Sequence, residues 1–294
     1  MDSFSISQLA QFSGIKSHTI RIWEKRYNAL KPERTEGNTR YYSGSQLRRL
    51  LNIVSLLGGE HKVSQLCEMS DKELFRLVEK EKDSSQDKLE NYFISQLISA
   101  AINFEEEAFN SIFSHCLIRY GMKDTYTHVI YPFLVQTGTL WACDTMAPAH
   151  EHFILNLIRQ KLSTAIDMLP APGQPEKWLL FLPENEFHET GLLFAHYLIR
   201  QSGRKVIYLG VNLPLNSIIS AIESTKPDKI LSFVVHREQP LIFQKYLDTV
   251  TRPFTGKKMY LVAKENLLRE IKGNKKIAWL HSVSGLEKVL APIV

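Results

Sequence analysis

Apolar residues recur every three or four positions in the part of the chain that ends near Leu169, a spacing that predicts helices. Its middle contains three successive rows of this kind. The rows are Leu89, Phe93, Leu97 and Ala101, then Ile112, Cys116 and Tyr120, then Phe153, Leu157 and Lys161. About four helices with short breaks between them indicate a small bundle.

The pattern changes after the proline-rich segment 170–175. Short apolar runs now alternate with helical stretches. The runs cover residues 178–183, 205–210, 229–235, 258–262 and 276–280. Five strands that alternate with helices predict a doubly wound, parallel α/β domain of the flavodoxin-like kind. Ligands of such sheets bind at the carboxyl ends of the strands.

These patterns predict a multidomain protein of the α and α/β classes. Residues 1–78 contain short helices and a turn-rich insert, residues 79–172 the helical bundle, and residues 173–294 the α/β domain. The polar and highly charged segment 79–88 indicates a linker or a helix overhang.

Charge separates the first domain from the others. The chain has a net charge of +5, and its first 49 residues contain nine basic and four acidic residues, so the remainder is neutral. A basic module on a neutral body is typical of nucleic-acid binding. A basic helical module that binds another protein is the alternative.

Other classes of protein and site find little support. No apolar run approaches a membrane span, and the first residues lack the pattern of a signal peptide, so we expect a cytoplasmic protein without a membrane partner. Cys67, Cys116 and Cys143 match neither a metal site nor a disulfide framework, and we expect reduced, mostly buried thiols. No nucleophile triad or phosphate loop indicates an enzyme.

The basic module is predicted to be a helix-turn-helix with a hairpin. Residues 6–14 form a first helix, and Ser17 is predicted to cap a second helix over 18–27. Gly37-Asn38 is a hairpin turn signal, and Ser43 starts a further helix. The polar face of the second helix can enter a major groove, and the hairpin can reach phosphates or the minor groove.

The order of residues over 4–57 closely resembles the MerR family of transcription regulators. The start I-S-Q-L-A, the helix T-I-R-I-W-E-K-R-Y and the wing R-T-x-G-N-x-R-Y-Y carry the resemblance. It implies a regulator that binds double-stranded operator DNA as a homodimer or homotetramer and meets RNA polymerase only indirectly. The expected DNA contacts are Lys16, His18, Thr19, Arg21, Arg26, Arg34, Arg40 and Tyr41. We expect Trp23, Tyr42 and Leu47 to lie in the core instead.

A second motif follows the first strand of the α/β domain. A carboxylate at Glu186 can orient the imidazole of His188, and Gly191 allows a close backbone approach. This E-x-H-x-x-G resembles the cobalamin-binding signature, which implies that His188 is the lower axial ligand of cobalt and Glu186 its partner. Ser232 and Val234 match the family's Ser-x-Leu element, near the nucleotide tail.

The bundle carries a third resemblance. Trp141 is followed after nine residues by Glu151-His152, as in the cobalamin-dependent photoreceptor repressors of the CarH/LitR group of MerR regulators. In that group the bundle caps the upper face of cobalt. The resemblance implies that Trp141, Glu151 and His152 line the upper-ligand cavity. It also implies that the chain is a repressor that senses cobalamin, with adenosylcobalamin as the candidate form.

Three positions depart from the pattern of this group. Ala263-Lys264 replaces a Gly-Gly that gives room to the cofactor tail, Ala142 replaces a histidine of light-sensing members, and the third strand ends in bulky His236-Arg237. A regulator that keeps the fold but has lost cobalamin is therefore the alternative. A corrinoid-dependent enzyme component is a third, although no catalytic domain fits it.

The motif residues also have simpler interpretations. His188 could be a capping or surface histidine, and the acids around it a solvated loop. A two-histidine metal site at His150 and His152 is disfavoured, because residues two apart on a helix do not face each other.

Overall fold

The structure is a computed structural model of the chain. It describes residues 3–13, 15–34, 37–57, 61–80, 86–142, 146–234, 240–254, 257–263 and 276–291. The chain forms two compact units, Met1–Asn156 and Leu157–Val294. The predicted division into three domains, with boundaries at 78 and 172, stays a prediction.

The first unit opens with five short helices and a three-stranded antiparallel sheet. The helices are α1 (Ile6–Ser13), α2 (Ser17–Tyr27), α3 (Gly44–Ser55), α4 (Val63–Glu68) and α5 (Asp71–Lys80). The strands are β1 (Ser3–Phe4), β2 (Glu33–Arg34) and β3 (Arg40–Ser43), in the order β1-β3-β2. Two-residue strands are too short for a sequence pattern, and β1 exists only through its pairing with β3.

The predicted core residues and the predicted hairpin of this module are confirmed. Trp23, Tyr42 and Leu47 are buried in its core. Arg34 pairs with Arg40 across the hairpin, and Asn38 has a left-handed backbone (φ +58°), as a tight turn requires.

The predicted cap of α2 is wrong. Ser17 is the first residue of the helix, and the capping position with extended backbone belongs to Lys16, which makes no side-chain capping hydrogen bond. A capping residue needs that extended conformation, and Ser17 has already entered the helix. Ser43, by contrast, has an extended backbone directly before α3, as predicted. Gly14 lies outside the described residues.

The bundle contains the four predicted helices. They are α6 (Gln86–Ile102), α7 (Glu106–Thr125), α8 (Tyr131–Ala142) and α9 (Pro148–Asp167), with a π-helical turn, Tyr126–Ile130, between α7 and α8. The predicted row on α6 is buried throughout. Of the predicted linker, residues 86–88 belong to α6 and residues 81–85 lie outside the described chain.

The predicted rows on the later helices are partly confirmed, because Cys116 and Leu157 are buried whereas the other members are not. Helix α7 buries Phe109, Phe113 and Cys116, whereas Ile112 and Tyr120 are only partly buried. Helix α9 buries Ile154, Leu157, Ile158 and Leu162 instead of Phe153 and Lys161. On both helices, two adjacent rows contain apolar residues. The neighbouring helices determine which of the two rows is buried. The Phe109 ring, for example, lies 6.0 Å from that of Phe133.

Helix α3 joins the basic module to the bundle within the first unit. Buried Gln96 of α6 donates a hydrogen bond of 2.9 Å from its Nε2 to Oδ1 of buried Asn52. At the start of α3, a Cβ on Gly44 would lie 2.6 Å from Oδ1 of Asn103. A larger residue at that position would have to displace the end of the Asn103 side chain. These contacts fix α3 against the end of α6.

The second unit has the predicted parallel sheet. Its strands are β4 (Lys177–Pro183), β5 (Lys205–Leu213), β6 (Lys229–Val234), β7 (Lys258–Ala263) and β8 (Ile277–Trp279), in the order β5-β4-β6-β7-β8. The helices are α10 (Glu189–Gln201), α11 (Leu215–Thr225), α12 (Pro240–Thr251) and α13 (Val283–Leu290). Helices α11 and α12 pack on one face of the sheet. The order reverses at β4, so a ligand is expected at its carboxyl end.

None of the described helices combines the length and apolar character that crossing a membrane requires. Cys67 and Cys116 are free and buried, as predicted, and burial raises the pKa of the Cys116 thiol to about 12. Cys143 lies outside the described residues.

Glu176 holds together the amino ends of three strands. Its carboxylate accepts hydrogen bonds of 2.7 Å from both Trp178 Nε1 and Arg204 Nε, and Lys229 Nζ lies 3.2 Å away. Burial raises the pKa of Glu176, but the hydrogen bonds from Trp178 and Lys229 and the neighbouring charges outweigh it, so the pKa falls below its ordinary value.

We expect Glu176→Gln to destabilise the protein by about 1 kcal/mol at neutral pH, because the neutral amide loses the ionic part of these contacts. A lowered pKa stabilises the folded state above the unfolded pKa, about 4.3, and this stabilisation disappears as pH falls through the folded value. Urea denaturation from pH 7 to pH 3 measures the difference.

The matched control is Glu223→Gln, which changes an exposed side chain on α11. It should leave the free energy of unfolding unchanged at every pH. A loss for Glu176→Gln that persists undiminished at pH 3 would contradict the assignment.

Candidate functional site

Helix α2 has a buried face and a cationic face. Ile20 and Trp23 are buried and hold it to the module. The exposed residues of α2 and its capping position are Lys16, His18, Arg21, Ile22, Lys25 and Arg26, whereas Thr19 is partly buried. The predicted contacts Lys16, His18, Arg21 and Arg26 therefore share one accessible surface, and Lys25 adds a cation to it.

The wing residues have partners within the wing. Arg34 Nη1 donates to Oδ1 of Asn38 at the turn. The Tyr41 hydroxyl donates a hydrogen bond of 2.6 Å to Oε2 of Glu33, and that bond raises the pKa of Tyr41 above its ordinary value. Arg34 is exposed, so its guanidinium can reach a ligand while the turn orients it.

Glu24 connects the wing to α2. Its side chain is only 8% exposed and lies 3.3 Å from Nε of Arg40. The buried Tyr42 hydroxyl donates to its other oxygen, Oε1. Burial and this hydrogen bond raise the pKa of Tyr42 well above its ordinary value. Arg40, a predicted DNA contact, thus has an intramolecular role, and Glu24 is a structural residue that sequence reasoning missed.

Two further arginines counted in the basic charge of the module also bind inside the first unit. Arg49 donates to the carbonyl oxygens of Ala29, Cys67 and Met69 and lies 2.6 Å from Asp71. Arg48 lies 3.0 Å from Glu105. These contacts join helices, so the positive charge available to a partner is concentrated on α2 and the wing.

The loop after β4 buries one carboxylate. Glu186 is 2% exposed, and its Oε1 lies 2.5 Å from Nδ1 of His188. The same oxygen accepts hydrogen bonds from the backbone N–H groups of Phe187 (3.2 Å) and His188 (3.3 Å). Half of the His188 side chain is exposed. With a carboxylate at Nδ1, the proton of a neutral ring stays there, and Nε2 carries the lone pair that binds a metal.

Strand β5 anchors this loop. Asn185, in a left-handed conformation (φ +65°), donates its N–H to Oδ1 of Asn212 at 2.9 Å. Asn212 in turn donates its N–H to the carbonyl oxygen of Glu186 at 3.2 Å. The carboxylate is therefore fixed from both sides, and it fixes the imidazole.

The structure bears on the simpler interpretations of the loop. His188 occupies the capping position of α10 without a capping hydrogen bond from its side chain, and its half-exposed side chain agrees with a surface histidine. Glu189 is also not a solvated acid, because it binds Arg159 and accepts a hydrogen bond of 3.0 Å from the Tyr208 hydroxyl. The described residues contain no group of three or more histidine, cysteine, aspartate or glutamate side chains that could hold a metal ion.

Gly191 and Ser232 lie close to this loop along the sheet. A Cβ on Gly191 would lie 2.7 Å from the ring of Phe233, so the predicted close approach is made by a side chain of β6. Ser232 and Val234 are fully buried on the same strand. Ser232 Oγ has no hydrogen-bond partner among the described residues. A buried hydroxyl without a partner costs free energy, so it fits a polar atom of a ligand.

The first unit has a pocket of its own between α8 and α9. It is lined by Leu134, Thr137, Gly138, Met146, Glu151, Ile154 and Leu155. A Cβ added at Gly138 would meet open space. Glu151 thus contributes a carboxylate to a largely apolar pocket, whereas His152 is exposed and does not line it. Trp141 is in α8, but its side chain, like that of Ala142, lies outside the described residues.

Two family matches correspond to these surfaces. Residues 4–71 match the MerR HTH family of regulatory proteins, and residues 94–165 match the B12 binding domain. The chain is a MerR-type DNA-binding regulator with a B12-binding domain. The second match covers α6 to α9, so the bundle itself is of the cobalamin-binding kind.

Known proteins resemble most of this MerR-type regulator. The HTH-type transcriptional repressor CarH of Myxococcus xanthus is 25% identical over 256 residues, which cover 85% of this chain and 84% of CarH. The repressor CarA of the same organism is 27% identical over 249 residues, 84% of this chain and 82% of CarA. Both names are those of regulators, in agreement with the prediction that the chain is not an enzyme.

A solved structure supports the fold class. The monomethylamine corrinoid protein of Methanosarcina barkeri superimposes with a TM-score of 0.54 at 13% identity, covering 67% of this chain and 96% of that protein. The predicted order of bundle and doubly wound sheet is confirmed. The individual DNA-contacting and cofactor-binding residues of the MerR-type regulator stay predictions. Lys264, His236 and Arg237, three of the departing residues, lie outside the described chain.

We expect Glu24→Ala to destabilise the regulator by about 1–3 kcal/mol, because it leaves the buried Tyr42 hydroxyl without its acceptor. Glu33→Ala, which removes the acceptor of Tyr41 at the surface, should cost less than about 0.5 kcal/mol. Denaturant unfolding of both variants measures the contrast. Equal losses would show that Glu24 does not join the wing to α2.

Proposed function

We propose that the chain is a transcriptional repressor whose binding to operator DNA is controlled by cobalamin, in the adenosyl form, bound at His188. The observation that carries the proposal is the buried Glu186 carboxylate on Nδ1 of a half-exposed imidazole, at the end of the strand where the sheet order reverses. The names of CarH and CarA support repression as the direction of control.

The residues present fit the cofactor. Nε2 of His188 would bind the cobalt, and Glu186 would hold the ring in the ligating tautomer and raise its basicity. The Ser232 hydroxyl would hydrogen-bond to a polar atom of the nucleotide tail, which would satisfy a buried group that has no partner among the described residues. Bound cobalamin would supply a cobalt centre with a reactive upper ligand.

The pocket of the first unit supports the adenosyl form. Glu151 is an acceptor-only group when ionised, and the ribose and adenine of an adenosyl ligand offer hydroxyl and amino donors. The apolar side chains around it, such as Leu134 and Ile154, suit the faces of a base. In this proposal Glu151 binds the upper ligand, together with Trp141, and His152 has a minor part because it is exposed.

Contacts within the first unit lead from this pocket to the DNA-reading module. His150, next to Glu151 on α9, stacks on the Phe104 ring with 4.4 Å between centroids. Phe104 has a positive φ of +53°, a strained conformation for a bulky residue. The next residue, Glu105, pairs with Arg48 of α3. A shift of α9 can therefore bias the position of α3.

Oligomerisation is the proposed second step of control. MerR-type modules bind two-fold sites, so a homodimer or homotetramer would bind an operator more tightly than one chain. A ligand shifts such an equilibrium only through its different affinity for the two states. The proposal therefore requires cobalamin to bind the oligomer and the single chain unequally.

The direct test is corrinoid retention. Protein incubated with adenosylcobalamin in the dark is passed through gel filtration, and corrinoid absorbance is compared with protein absorbance. We expect the wild type to retain corrinoid, His188→Ala to bind it at least about tenfold more weakly, and Glu186→Gln to lose about tenfold. His281→Ala, an exposed histidine of the same unit, should behave as the wild type.

Light scattering on the same eluate gives the mass of the oligomer with and without corrinoid. Retention by His188→Ala equal to that of the wild type would contradict the assigned ligand. Operator binding without any corrinoid retention would favour the regulator that keeps the fold and has lost the cofactor.

A further inference from the structure

The cationic face of α2 contains one large apolar side chain. Ile22 is 44% exposed, whereas the other apolar residues of the helix, Ile20 and Trp23, are buried. Ile22 therefore does not belong to the buried face that holds α2 to the module. Its exposure leaves a branched aliphatic group in water on the surface that the predicted DNA contacts share.

Helical spacing places Ile22 inside that surface and not at its border. It is one turn from both His18 and Arg26, at i−4 and i+4, and three residues before Lys25. The exposed side chains on either side of it are therefore polar or cationic. A surface of this kind meets phosphates and base edges, which leaves the apolar group at its centre without a polar partner.

The major groove offers one apolar feature. Each base pair presents donors and acceptors there, and thymine alone adds a C5-methyl group. The side chain of isoleucine has no hydrogen-bonding group, so it cannot distinguish donors from acceptors. It can pack against the thymine methyl group, and the contact removes both apolar groups from water. The surrounding cations fix the helix on phosphates and leave this contact to discriminate bases.

We propose that Ile22 is a specificity-determining residue that reads a thymine methyl group in each half of the operator. The inference rests on the proposed DNA-binding function and adds a sequence preference to it. Ile22 sets a preference for a T·A pair at one position of each half-site. The cationic residues beside it contact phosphates and set no such preference.

The test compares thymine with uracil, which lacks only the C5-methyl group. A binding site is first selected by the full chain from a random duplex library, and each thymine of a half-site is then replaced singly by uracil. We expect one replacement to weaken wild-type binding by about three- to tenfold, the effect of one buried methyl group. Anisotropy titration at fixed salt measures the affinities.

Variants separate base reading from folding. Ile22→Ala should bind the thymine and uracil sites equally, and Ile22→Val should keep most of the discrimination because it keeps a branched apolar group. Ile118→Ala, which truncates an 85% exposed isoleucine of α7, should discriminate as the wild type does.

Two results would overturn the inference while leaving DNA binding intact. One is a wild type that tolerates uracil at every thymine position. The other is an Ile22→Ala variant that still loses affinity on the uracil site by the wild-type factor. Failure of the full chain to select any site, both with adenosylcobalamin in the dark and without it, would instead overturn the proposed function along with the inference.

Discussion

A buried carboxylate constrains the candidate cofactor site. Glu186 is almost completely buried at the end of β4, and an ionised group there is tolerated only if hydrogen bonds replace water. Two backbone N–H groups and Nδ1 of His188 supply them. The same contacts set the direction of the imidazole, and Asn212 of β5 holds the loop from the other side. The need to satisfy one buried carboxylate thus produces an oriented imidazole at the edge where parallel sheets bind ligands.

In the DNA-binding module, too, buried and paired charges hold the structure together. The net charge of the first residues is basic, yet Arg40, Arg48 and Arg49 bind Glu24, Glu105 and carbonyl groups inside the first unit. Their role is to hold wing, helices and bundle together. Exposed cations remain on α2, beside Ile22, and at Lys31 and Arg34, so the accessible positive surface is narrower than the charge count predicts.

The sequence predicts the large features because they repeat. Five apolar runs, each between helical stretches, are enough for the parallel sheet, and the spacing within E-x-H-x-x-G is short enough to place Glu186 beside His188. Features that depend on contacts between residues distant in the sequence cannot be predicted from such local patterns. Glu24 acquires its role only when β3 brings Tyr42 and Arg40 against α2, and the buried rows of α7 and α9 are chosen by neighbouring helices. Ser17 is not the cap because the helix begins one residue earlier than predicted. Its backbone is already helical, whereas Lys16 has the extended conformation of a capping residue.

The central claim is that corrinoid and DNA binding are coupled on one chain. The most direct test is a pair of titrations in the dark, with operator affinity measured with and without adenosylcobalamin and corrinoid affinity measured with and without operator. Linkage requires the two factors to be equal, and the account predicts a common factor of about 5 to 150, with a value near one for His188→Ala. Operator affinity that is identical with and without adenosylcobalamin in the wild type would contradict it.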